Sequence, residues 1–132
     1  MYTKRLLRAA TLAASLTVGA AGTALADARD YEFRLVTTEV KRGEAMIAVR
    51  LVHKATGRAV PDAVIYATRL DMAPDGMPTM TTPVGAVPGG EPGTYRFRAD
   101  LVMAGGWQFT LTAKVQGEEG TVESRLNLRA VP

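Results

Sequence analysis

Residues 71–80 read Asp-Met-Ala-Pro-Asp-Gly-Met-Pro-Thr-Met and set Met72, Met77 and Met80 within one short segment. Its Pro and Gly content argues against a helix or a core strand. Thioethers are neutral, soft donors, which suits Cu(I) and leaves binding nearly independent of pH. Methionine otherwise fills irregular gaps in cores or makes adaptable surfaces for partners. The segment therefore has two readings: a Cu(I) site, or apolar caps folded over the edge of the domain.

Three further residues bear on that choice. His53 is the single histidine; it follows Ile47, Val49 and Leu51 in phase, at the end of a strand on its apolar face. It reads either as a nitrogen ligand or as a rim histidine hydrogen-bonded to a loop carbonyl. Met103 continues an inward-facing run and precedes Gly105-Gly106, whose missing side chains permit a tight turn or a close backbone approach. It reads as core beneath Trp107 or as a fourth thioether at the same edge, whereas Met46 falls out of phase with Ile47 and Val49. The candidate metal set is Met72, Met77, Met80, Met103 and His53.

Trp107 offers a ring face for a cation–π contact to Cu(I), but a large aromatic opening a strand reads first as core. Asp71 and Asp75 read as turn residues. A calcium site takes about six to eight oxygens, and their neighbours supply sulfur and proline instead.

Catalysis finds little to work with. The chain has no Gly-x-Ser-x-Gly elbow, no phosphate-binding Gly loop, no His-x-x-x-His, one histidine and no cysteine. No enzymatic activity is expected, and no cofactor other than Cu(I).

The first 26 residues look like an export signal. Lys4, Arg5 and Arg8 form a positive start, Ala9 to Ala21 is apolar with Ser and Thr interruptions, and Ala24-Leu25-Ala26 is a small-x-small cleavage site. The apolar run is shorter than the roughly 20 residues of a spanning helix, so the mature chain should begin at Asp27 and be periplasmic or secreted, with no membrane association after cleavage. The whole chain carries 16 Lys+Arg and 13 Asp+Glu. Three of the basic groups and none of the acidic ones fall before Asp27, which leaves 13 of each in the mature part. Its net charge is zero, so the electrostatic footprint of a nucleic-acid binder is absent. Without cysteine, a disulfide framework and a thiolate metal site are excluded together.

The remaining residues, 27–132, form one domain held by its core alone. Tyr95, Phe97, Ala99, Leu101 and Met103 alternate with Arg96, Arg98 and Asp100, the period of a half-buried strand. A register slip of one residue would bury two guanidiniums and a carboxylate. Trp107, Phe109, Leu111, Ala113 and Val115 repeat the pattern, and Gly117-Glu118-Glu119-Gly120 turns the chain into a last strand through Val122, Ser124, Leu126 and Leu128. Earlier strands are expected over 31–38, 44–53 and 63–71. From Met72 to about Pro92 the chain reads as one long irregular stretch, with a short edge strand possible over 81–87. Six or seven short strands predict an all-β, immunoglobulin-like antiparallel sandwich.

In this order the features resemble the YtkA-like/FixH domain family: a strand ending in the Met-rich segment, then Pro92-Gly93-Thr94-Tyr95-Arg96-Phe97, then Met103-Ala104-Gly105-Gly106-Trp107 opening a Thr-rich strand. The resemblance covers most of residues 27–132. It implies a small exported or membrane-anchored β-sandwich associated with copper handling, heavy-metal efflux or assembly of respiratory oxidases. Such a protein either binds Cu(I) or docks, without metal, on an efflux or respiratory complex. FixH proteins are membrane-anchored, and this chain departs from them in ending its apolar segment with a cleavage signal.

Overall fold

The alternating segments fold as nine strands among the described residues, which are residues 28–132 of a computed structural model. The expected signal segment and its cleavage point lie outside the described residues. The strands are β1 (Tyr31–Leu35), β2 (Glu39–Lys41), β3 (Gly43–His53), β4 (Val64–Met72), β5 (Met77–Thr82), β6 (Val84–Val87), β7 (Thr94–Leu101), β8 (Gly105–Lys114) and β9 (Val122–Val131). Short 3-10 turns occupy Ala28–Asp30 and Ala73–Asp75. No helix among the described residues is long and apolar enough to cross a membrane.

Two sheets, β1-β3-β7-β6 and β2-β9-β8-β4-β5, form the sandwich. Every strand pair is antiparallel except β2 with β9, which run parallel where Glu39 to Lys41 meet Arg129 to Val131. The alternation in β7 and β8 sets the facing as expected. Phe97, Ala99 and Leu101 are buried from one sheet, and Trp107, Phe109, Leu111 and Ala113 from the other, while Arg98 and Asp100 stay outside. Phe97 and Phe109 meet edge to face across the sandwich, with ring centroids 5.1 Å apart, and each such ring contributes roughly 1.5–3 kcal/mol by leaving water. The β8–β9 hairpin pairs from Gly105 with Ala130 to Ala113 with Val122.

Two elements differ from the sequence expectation. β2 is three residues long, too short to show a period. The stretch from Met72 to Pro92 is not irregular throughout: Met77 to Thr82 pair with the end of β4. Proline is tolerated there because β5 is an edge strand, where a missing N–H donor costs nothing if it faces outward. The edge strand expected over 81–87 exists in two parts, because Pro83 separates β5 in one sheet from β6 in the other.

The pairing also defines two ends. β3 begins opposite the end of β7, with Gly43 against Leu101, and finishes at His53 beside Tyr31. β4 ends and β8 begins at the Leu101 end, with Asp71 opposite Gln108. The Met-rich segment and His53 therefore occupy opposite ends of the sandwich.

Candidate functional site

β4 delivers Met72 as its last residue, the chain turns through Ala73–Asp75, and β5 begins at Met77. Pro74 lies in the first positions of the turn, and Gly76 closes it at φ 75°, a left-handed conformation that suits glycine. Met72 and Met77 become cross-strand partners, after which the register shifts so that Asp71 faces Thr81. Residues 78–80 bulge between these pairs, and the Arg69 Nη2 donates to the Pro78 carbonyl at 2.8 Å.

The three thioethers are packed rather than free. Met72 is fully buried in the core, and Met77 and Met80 are partly buried against it. The expectation of a plain loop fails here, since the hairpin folds its sulfurs inward over the open end of the sandwich.

Carboxylates hold the hairpin in place. Asp71, itself buried, accepts from the Ala73 N–H through Oδ1 at 2.9 Å and from the Arg69 Nε through Oδ2 at 2.9 Å. Asp75 Oδ2 accepts from the Gly106 N–H at 3.2 Å. Both carboxyls thus serve the backbone and Arg69, in keeping with their reading as turn residues. Gly105 has φ 137°, and a Cβ on it would collide with the Asp75 carboxylate and come within 3.0 Å of the Met72 Cε; one on Gly106 would sit 2.9 Å from the Pro74 Cβ. The close approach read from Gly105-Gly106 is made by the turn that carries the Met segment.

Met103 does not continue the inward row, because β7 stops at Leu101 and residues 102–104 turn outward. Its side chain is exposed, and its carbonyl accepts the Trp107 Nε1–H at 3.0 Å. It stands two residues before Gly105, on the same end as Met72. His53 is not part of this group. From Gly43 to His53 β3 rises about 33 Å at ~3.3 Å per residue, and the imidazole lies edge to face with Tyr31 at 5.2 Å. Its Nδ1 is 3.3 Å from the Thr56 Oγ1, so its rim partner is a hydroxyl and not the loop carbonyl expected. Met46 is exposed on the outer face.

The thioethers at the Met end are neutral, and the carboxylates beside them, Asp71 and Asp75, are taken up by Arg69 and by backbone N–H groups. Among the described residues no three His, Cys, Asp or Glu side chains come together as a metal group. Sequence reasoning missed the part played by Asp71 and Asp75 in anchoring the turn. The available signal was an Asp at each end of the run Asp71-Met72-Ala73-Pro74-Asp75.

Comparison with curated proteins returns no match. Among solved structures, the chain is similar to the Lin-41 filamin domain at 20% identity, covering 77% of this chain and 94% of that one with a TM-score of 0.41. A conjugative transposon lipoprotein from Bacteroides eggerthii DSM 20697 matches at 12% identity over 75% of this chain and 96% of that one, with a TM-score of 0.35. The YtkA-like family model matches residues 25–112, which takes in β1 to most of β8 and so the whole Met-bearing hairpin, Gly105, Gly106 and Trp107. The chain belongs to the YtkA-like family.

Proposed function

We propose that this protein is an exported accessory β-sandwich that takes up Cu(I) as cargo through the thioethers of Met72, Met77 and Met80, with Met103 alongside. One observation carries the reading: Met72 and Met77 face each other across the β4–β5 hairpin. Met80 packs against the same core, and Met103 is exposed at the same end. Soft neutral donors favour Cu(I), whereas Cu(II) and Zn(II) prefer nitrogen and oxygen ligands; the two carboxylates at this end are already engaged, Asp71 by Arg69 and the Ala73 N–H and Asp75 by the Gly106 N–H. His53 has no part in the site. The export signal before Asp27 would deliver the protein to the periplasm or outside the cell, and intact-mass measurement of exported material should give a chain starting at Asp27.

A second reading rests on the complete burial of Met72. Its thioether already has packing partners, which fits a module that docks on a metal-efflux or respiratory-oxidase assembly complex without binding metal itself.

Cu(I) titration against a chromophoric chelator separates the two. The mature protein should compete for Cu(I), and the Met72→Leu/Met77→Leu/Met80→Leu variant should not. Leu for Met conserves volume and costs less than about 1.5 kcal/mol per buried site, so the triple variant should remain folded. Met46→Leu and His53→Ala should compete as the wild type does. If the wild type does not compete, or the folded triple variant competes equally well, the docking reading replaces the metal one.

A further inference from the structure

The sandwich wall is incomplete on one side. β5 pairs with β4 only from Leu70 to Met72, so among the described residues Val64 to Arg69 are bonded to β8 on one side and to no strand on the other. Across the gap lies β6, the edge of the other sheet. The pairing of β4 with β8 skips Tyr66, a bulge that brings Ile65, Thr68 and Leu70 to the core side, opposite Ala113, Leu111 and Phe109.

Those three β8 residues are fully buried, yet Thr68 is exposed. Ala86 on β6 repeats the anomaly, since it pairs with the buried Phe97 and is itself exposed. Two core-side positions facing each other across the gap are thus uncovered, and between them runs a cleft of about 610 Å³ floored by Ile65, Val84 and Phe97. Tyr66, which also lines the cleft, leaves further apolar surface exposed.

An open row of backbone donors and acceptors above an apolar slot is the geometry that an added strand completes. Charge at the mouth selects among strands. Asp62 and Glu91 line it at the β4 start, both exposed, and neither carboxylate has an ion pair or a side-chain hydrogen bond among the described residues. Among the described residues the one cation lining the cleft is Arg96, whose Nη2 donates to the Pro88 carbonyl at 3.1 Å beneath Gly89 and Gly90 while its buried Nε has no hydrogen-bond partner among them. The mouth is also held in shape: the Tyr95 hydroxyl donates to the Val60 carbonyl at 2.9 Å and accepts from the Ala63 N–H at 3.0 Å.

We propose that the slot between β4 and β6 binds an extended segment of a partner protein, which pairs with Val64 to Thr68 as an added strand. Its alternate apolar side chains cover Thr68 and Ala86, and a Lys or Arg just beyond its C-terminal end meets Asp62 and Glu91. The direction follows from β5, which runs antiparallel to β4 and lies in line with the vacant position. The five residues from Val64 to Thr68 give the pairing a length of about 16 Å at ~3.3 Å per residue. This inference does not depend on the Cu(I) reading.

The test uses residues 27–132 labelled with ¹⁵N and a panel of capped heptapeptides alternating Val, Ile or Thr, each ending in Lys-Lys or in Glu-Glu. Lys-ended peptides should shift the amides of Val64 to Thr68 and Val84 to Val87 at millimolar concentration or below, and Glu-ended ones should bind more weakly. Asp62→Asn/Glu91→Gln should weaken Lys-ended binding roughly tenfold at low ionic strength; Asn tolerates the positive φ of 63° at Asp62. Ala86→Trp, at an exposed position, should fill the slot and abolish binding with an unchanged denaturant midpoint. The Met-to-Leu triple variant should bind as the wild type does. The proposal is overturned if no peptide shifts these amides, if Glu-ended peptides bind equally well, or if the same amides shift on concentrating the protein alone, which would make a second copy the occupant.

Discussion

Replacing Gly105 by alanine probes whether the Met-bearing turn is locked onto β8 as described. Gly105 sits at φ 137°, where an L side chain costs of order 1–3 kcal/mol. The new Cβ would also collide with the Asp75 carboxylate, which holds the Gly106 N–H at 3.2 Å; losing that bond removes about 0.5–1.5 kcal/mol. Taken together, Gly105→Ala should cost about 2–4 kcal/mol, a large share of the ~5–15 kcal/mol that holds a domain of this size. Urea unfolding followed by Trp107 fluorescence measures it, with the midpoint falling and the slope unchanged. Asp75→Ala supplies the control. It removes the colliding group, so in the double variant the second change should cost less than it does alone, a coupling of about 0.5–3 kcal/mol for residues in contact. A Gly105→Ala midpoint within error of the wild type, or strictly additive costs, would refute the lock.

Other expectations follow from burial and titration. Trp107→Ala should cost about 3–5 kcal/mol because the ring is fully buried, whereas exposed Arg98→Ala should stay within about 0.5 kcal/mol of the wild type; the reverse order in denaturant midpoints would contradict the strand facing. Burial, the largest influence, pushes the Tyr95 hydroxyl above its ordinary pKa of 10.0, the Ala63 N–H pulls it down and Asp62 raises it again. The folded state therefore holds this proton more tightly than the unfolded one. That stability is complete below pH 10 and is lost as pH rises through the higher folded value. Midpoints should fall in alkali, and Tyr95→Phe should flatten that fall; an identical alkaline slope in the variant would refute the assignment.

Strands β3, β7, β8 and β9 were legible along the chain because each has one face in the core, and burial writes that face as a period of two. Phe97 and Trp107 needed no tertiary information to be placed inside. β2 had no such record, being three residues long and added in parallel to the edge of β9. β5 was hidden for another reason: Pro78 and the bulge at residues 78–80 erase the alternation of a strand that pairs with β4 through only three residues. Chemistry-bearing residues were legible as types but not as a site. Met72, Met77 and Met80 were close along the chain, and the hairpin brought Met72 and Met77 face to face.

By itself, the sequence determined the compositional boundaries and the core: no thiolate chemistry, a balanced charge from Asp27 onward, a β-sandwich and the identity of its inward rows. These follow from local rules, since residue type and period act over a few positions. Only the tertiary structure decided that the thioethers fold inward and that Met103 turns outward where β7 stops. It also placed His53 at the far end and left Thr68 and Ala86 uncovered beside β4. Each of those outcomes depends on where a strand ends and which strand lies next to it. Strand ends and neighbours are set by contacts between residues far apart in sequence, such as Gly105 with Asp75 and Ala86 with Phe97, and no local pattern encodes them.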